Sequence, residues 1–100
     1  MKLVGIMCAE ELAESAKKIF DDVKVPAYSE SSISGFRLTD DNESDNWFAD
    51  KHAMENSQLL FTMCDDQKAE ELLNAIKESK NNSQNGHLYA FQLNLEKFIA

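Results

Sequence analysis

Lys2-Leu3-Val4-Gly5-Ile6-Met7-Cys8, read beside Leu59-Leu60-Phe61-Thr62-Met63-Cys64, decides how this chain folds. Each run is short, largely apolar and β-prone, which reads as a buried strand rather than a helix. Each ends in Met-Cys and meets acids soon after: Glu10 and Glu11 in one case, Asp65 and Asp66 in the other. The period then changes. Leu12, Ala13, Ala16, Ile19, Phe20 and Val23 recur at helical spacing, predicting a helix over residues 9–23. Glu10, Glu11 and Glu14 lie early in it and Lys17 and Lys18 later, an order that complements the helix dipole. Pro26 closes the segment, because the residue before a proline is pushed out of the helical region. After the second run, Asp65 or Asp66 can cap a helix whose stripe is Ala69, Leu72, Leu73 and Ile76, ending near Lys80.

Working outward, residues 26–38 alternate weakly, with Tyr28, Ile33 and Phe36 among serines, and read as a second strand bent near Gly35. Residues 81–86 (NNSQNG) are a turn cluster, since Asn and Gly tolerate positive φ. Residues 87–95 (HLYAFQLNL) form a fourth strand, and residues 96–100 a tail. The order is β-α-β, a long loop, then β-α-β. Two such units in tandem describe an α+β, ferredoxin-like βαββαβ sandwich. It is one domain over residues 1–100, with an antiparallel four-stranded sheet and both helices on one face. The first and third strands are expected side by side in the middle. That places Cys8 and Cys64 at opposite ends of the sheet, too far apart for a disulfide within one chain.

Two helices cover one face of such a sheet, and the other face of a monomer should be polar. Here both faces of the central strands are apolar: Leu3, Gly5 and Met7 against Val4, Ile6 and Cys8, and Leu59, Phe61 and Met63 against Leu60 and Cys64. Leu88, Tyr89, Ala90 and Phe91 continue this in the fourth strand. The simplest cover for the second face is another copy of the same surface.

Composition narrows the function. One hundred residues at 43% hydrophobic content can bury a core without staples. A net charge of −8 opposes nucleic-acid binding, which needs Lys and Arg against phosphates, and opposes docking on an anionic membrane. No apolar run is long enough to span a bilayer, and the N-terminal run reaches acids too early for a secretory signal. With two cysteines in no metal-ligand spacing, the expected home is the reducing cytoplasm. No Ser/His/Asp or Cys/His constellation and no phosphate-binding glycine motif is present, so an enzyme is not expected.

Against that background, two stretches resemble the PII-like signalling superfamily (nitrogen regulatory protein PII-like), of which this chain looks like a divergent member. Gly35-Phe36, before the long loop, is similar to the Gly-Phe pair preceding that family's T-loop. Asn85-Gly86-His87-Leu88-Tyr89 is similar to its Asp-Gly-Lys-Ile-Phe B-loop. The resemblance implies a cytoplasmic homotrimer with lateral clefts that bind an effector, in many members an adenine nucleotide. It also implies a T-loop that docks on a target enzyme, regulator or transporter. By position, Gly35, Phe36, Arg37, Gly86 and His87 would hold the effector. Gln84 stands where the family usually has a glycine, and His87 where it has a phosphate-binding lysine. The family's C-terminal arginines have no counterpart after the fourth strand, and the loop lacks the tyrosine that some members carry for uridylylation. Weak binding of a small anion, a nucleotide, a carboxylate or a bicarbonate-like species, is the expectation.

The segment 39–58 is too long for a hairpin turn, and a loop of that length in a compact domain is functional or disordered. Its six acids, Asp40, Asp41, Glu43, Asp45, Asp50 and Glu55, face one base, Lys51. Like-charge repulsion predicts an extended loop that orders on engagement. Trp47 and Phe48 in its middle read either as anchors for a partner or as groups folding back on the protein's own assembly. Calcium is not expected, since the segment lacks the EF-hand spacing and glycine. His52, Met54, Cys8 and Cys64 leave a second reading open, metal binding or tolerance like that of CutA-type proteins, although no metal site is expected from spacing. Arg37 is the only arginine in the chain, and its planar fork suits a phosphate or carboxylate. Its plainer role is a surface ion pair with a nearby acid.

Overall fold

A computed structural model of the protein describes residues 1–35, 56–83 and 88–100. In chain order the elements are β1 (Lys2–Ala9), a 3-10 turn (Glu10–Leu12), α1 (Ala13–Val23), β2 (Ser29–Ile33), β3 (Ser57–Cys64), α2 (Asp66–Ser83) and β4 (Leu88–Asn94). The strands form one antiparallel sheet in the order β2-β3-β1-β4. This is the ferredoxin-like arrangement, with β1 and β3 central as the paired runs predict. Cys8 stands opposite Gln58, and Cys64 opposite Lys2. Six strand positions at about 3.3 Å each part the two cysteines by roughly 20 Å, and both thiols are buried and free.

Register sorts the side chains. Val4, Ile6 and Cys8 of β1, Leu60 and Cys64 of β3, and Leu88 of β4 point to one face. There they meet Ala13, Ala16, Ile19 and Phe20 of α1, and Ala69, Leu72 and Ile76 of α2, in one core. Both helices therefore lie on that face, and α1 also packs on α2. Among the described residues, no helix is long and apolar enough to cross a membrane.

The helix ends show why the chain turns where it does. Asp65 Oδ1 accepts from the backbone N–H of Lys68 at 2.8 Å, satisfying one of the free donors of the first turn of α2. At the other end of α1, Lys24 adopts a left-handed conformation at φ 65°. Val25 N–H donates to Phe20 O at 3.2 Å and Lys24 N–H to Asp21 O at 3.1 Å, the two bonds of a Schellman cap. Val25 then packs against the core, as the residue after such a cap commonly does. Lys68 Nζ, reaching across from α2, donates to Val23 O at 2.9 Å. Its charge sits where the α1 dipole is negative.

Boundaries differ from the sequence reading at four places. The segment expected to be helical from Ala9 keeps Ala9 in β1 and opens with the 3-10 turn; Ala9 has no side chain to cap it, and Glu10 N–H is held by Asn56 O at 3.0 Å. α2 continues through Asn81, Asn82 and Ser83 instead of turning after Lys80. Lys80 Nζ donates to Leu88 O at 2.7 Å and lies over the Tyr89 ring, which ties the last turn to β4. β2 occupies only Ser29–Ile33, because Pro26 cannot donate to a ladder and Ala27 O is instead taken by the Thr62 hydroxyl at 2.6 Å. β3 starts at Ser57, two residues before Leu59, so Ser57 and Gln58 belong to the sheet and not to the loop.

Candidate functional site

Two surfaces remain once the core is filled. The first is the sheet face away from the helices. Register brings Leu3, Gly5 and Met7 of β1 together there with Leu59, Phe61 and Met63 of β3 and Tyr89, Phe91 and Leu93 of β4. Met63 is 47% and Leu93 54% exposed. Gly5 is buried on this face because the Phe91 ring, from its cross-strand partner, lies over it; an added Cβ would clash with Phe91 Cζ. The glycine is thus required by close approach of a ring, and the ring shields backbone the glycine would leave bare.

The second surface is the end of the sheet where β1 finishes and β3 begins. Ile33 pairs with Ser57, and Cys8 with Leu88. Gly35, just past β2, is buried at this end. The segments 36–55 and 84–87 both attach here by connectivity. Of the residues read as effector contacts, Gly35 is described; Phe36, Arg37, Gly86 and His87 lie outside the described residues, as do Trp47 and Phe48. The described elements do not by themselves bring the two groups together. β2 and β4 are opposite edges of the sheet, so Gly35 and Leu88 are parted by three strand spacings, roughly 14 Å.

Beside Gly35 the structure shows a polar cleft of about 180 Å³, lined by Glu10, Ser32, Ile33, Ser34, Asn56, Ser57 and Gln58. Gln58 pairs with Cys8 and so points to the helix face. Its Nε2 donates to Ser32 Oγ at 3.3 Å. Its Oε1 is buried and meets no donor among the described residues, an omission that ordinarily costs about 1–3 kcal/mol. Sequence reasoning missed this cleft. The signal was available: begun at Ser57, the strand puts Gln58 in step with Leu60, which marks an amide on the inward face.

The cysteines are poor candidates for chemistry. Burial, with Glu30 and Glu11 nearby, pushes the Cys8 thiol up to about 11. Burial and then Asp65 also raise Cys64. Both are thiols at neutral pH, whereas a nucleophile or metal ligand must be a thiolate. Among the described residues, no three His, Cys, Asp or Glu side chains gather closely enough to hold a metal.

The fold of this chain is found in solved structures. A PII-like signalling protein of Thermus thermophilus superposes with a TM-score of 0.65 over 94% of this chain and 84% of its own, at 15% identity. The apo form of CPII, a nitrogen regulatory PII-like protein from Thiomonas intermedia, gives 0.60 over 92% and 87%, at 13% identity. The chain has the fold of the PII-like signalling proteins. No protein-family model matches the sequence, and no curated protein matches it. The fold is thus shared with those two neighbours at 15% and 13% identity. The architecture expected from the paired Met-Cys runs and from the PII-like resemblance agrees with this fold.

Proposed function

We propose that this protein is a PII-like trimeric regulator and not an enzyme. It assembles through the open sheet face and senses a small anionic effector, such as an adenine nucleotide or bicarbonate, in clefts between copies. It controls a target protein or transporter through the acidic segment 39–58. The observation that carries this reading is the apolar face of nine side-chain positions left uncovered by both helices, on a fold shared with signalling proteins. Fold alone does not assign a function. The separation of Gly35 from Leu88 adds support, because groups on opposite sheet edges of one copy can converge when copies sit side by side.

Arg37 carries the recognition in this reading, as a bidentate partner for phosphate or carboxylate. Gly35 and Gly86 allow close backbone approach, and His87 supplies a donor whose charge depends on pH. Trp47 and Phe48 are the anchors for the target. Calorimetry against ATP, ADP, AMP, cyclic AMP and bicarbonate tests the effector. One of them should bind at millimolar concentration or better, with affinity weakened about tenfold or more in Arg37→Ala. No binding by any of them, or binding indifferent to Arg37→Ala, would overturn the site. Heat from Cu²⁺ or Zn²⁺ alone would favour the CutA-like alternative, whose ligands His52 and Met54 lie outside the described residues.

A further inference from the structure

The segment after β4 crosses the sheet and comes to rest in an apolar groove. Leu95 N–H donates to Met1 O at 3.1 Å, beside the start of β1. Among the described residues, none after Leu95 makes a hydrogen bond or an ion pair. Phe98 nevertheless lines a groove of about 220 Å³ with Pro26, Tyr28, Ser29, Phe61 and Met63, at the β2–β3 side of the sheet. From β4 to β3 is two strand spacings, roughly 10 Å, which three extended residues just span. Exposure shows which residue is held: Phe98 is 46% exposed, and Ile99 beside it 94%. One aromatic ring anchors the whole segment.

The other walls are fixed. β2 begins at Ser29, opposite Phe61, so the end of β3 has no ladder partner on that side. The chain before β2 closes the gap with ties of its own. Thr62 Oγ1 donates to Ala27 O at 2.6 Å, and Tyr28 stacks on the core ring of Phe20 with 4.8 Å between centroids. Only the tail wall lacks such ties among the described residues. Phe61 and Met63 are also positions of the open sheet face, in register with Gly5 and Leu3. The Phe98 ring and any copy that covers that corner therefore meet the same two side chains.

We propose that residues 96–100 are a displaceable strap: Phe98 docks at the β2–β3 corner of the open face in a single copy and lifts when another copy covers that corner. Tail docking and assembly then compete. The inference rests on assembly through the open face and adds its regulation. Burying about half of a phenylalanine ring favours the docked tail about fivefold, which leaves about one copy in six open. Apparent affinity falls by the open fraction. Three straps lift for each trimer, so the concentration at which trimers form rises about tenfold. Phe98 lies outside the core, so the strap sets this threshold without entering the fold.

The test is light scattering over a dilution series on the full-length protein, on Phe98→Ser, on Ile99→Ser and on a chain ended at Leu95. Circular dichroism checks that each is folded. Phe98→Ser and the shortened chain should assemble at about tenfold lower concentration than the native protein. Ile99→Ser removes a comparable apolar group from the same tail and should change nothing. Assembly by Phe98→Ser and the shortened chain where the native protein stays single would support the strap as well. An unchanged midpoint in those two variants overturns the strap and leaves assembly through the open face standing. A weakened midpoint overturns it too, because Phe98 would then be part of the interface. An equal effect from Ile99→Ser overturns it by showing that tail hydrophobicity, and not docking, sets the threshold. Single chains at every concentration, in the native protein and the variants alike, would overturn both the strap and the assembly reading.

Discussion

Phe91 lies across Gly5, and the fit leaves no room for a methyl group. Gly5→Ala should therefore force the ring away, despite the intrinsic gain of about 0.5–1 kcal/mol that alanine brings to a strand interior. The expected net loss is about 1–3 kcal/mol, the usual scale of overpacking. In urea unfolding, the double variant with Phe91→Ala should be more stable than the sum of the singles predicts, because the clash is gone. Simple additivity would contradict the contact. Cys8 makes a second point at this scale. Its folded pKa, about 11, lies above the ordinary value of 9.0. The folded state thus holds its proton after the unfolded chain has released it. The stability linked to this group is complete below pH 9 and is lost as pH rises toward 11. The urea midpoint should fall over that window, and Cys8→Ala should flatten the fall. A thiol reagent at about pH 8, below both thiol pKa values, should label neither cysteine until the protein unfolds.

The elements were legible in the sequence where the physics was local. Asp65 caps α2 as expected, and the stripe of Ala69, Leu72 and Ile76 is the buried face of α2. Asp65→Ala should cost about 1 kcal/mol, measured by thermal unfolding, if the bond to Lys68 N–H caps the helix. What was not legible depended on partners far away in sequence. The extension of α2 through Asn81, Asn82 and Ser83 rests on Lys80 reaching Leu88 O, a contact that helix propensity cannot reveal. The short β2 follows from Pro26 and from the hydroxyl of Thr62, which takes Ala27 O. Likewise, the start of β3 at Ser57 follows from pairing with Ile33 and Ala9, and a strand begun at Leu59 hides the polar cleft. Nothing in the sequence marks Lys24 as special, yet it sits at φ 65°, where a side chain is disfavoured. Lys24→Gly should raise stability by about 1 kcal/mol, because glycine takes this conformation without the clash of a Cβ. A loss instead would show that the lysine side chain has a role the cap geometry does not require.

For the whole molecule, the open face is where sequence and structure meet most directly. Alternation fails in β1 and β3, and the structure shows the cause: one set of side chains fills the core, while the other lines a face that neither helix covers. The effector residues were not comparably legible, because Arg37, Gly86 and His87 were placed by resemblance and not by packing. Met63 and Leu93 lie on the open face at roughly half exposure, so charging them should not disturb the core of a single copy. The central claim is that this protein works as an assembly built on that face. Light scattering at micromolar concentration, on the native chain and on Met63→Glu with Leu93→Glu, tests it most directly. The account predicts about three times the 11.3 kDa chain mass for the native protein and a folded species of single-chain mass for the double variant. A native protein that runs as a well-folded 11.3 kDa monomer would contradict it.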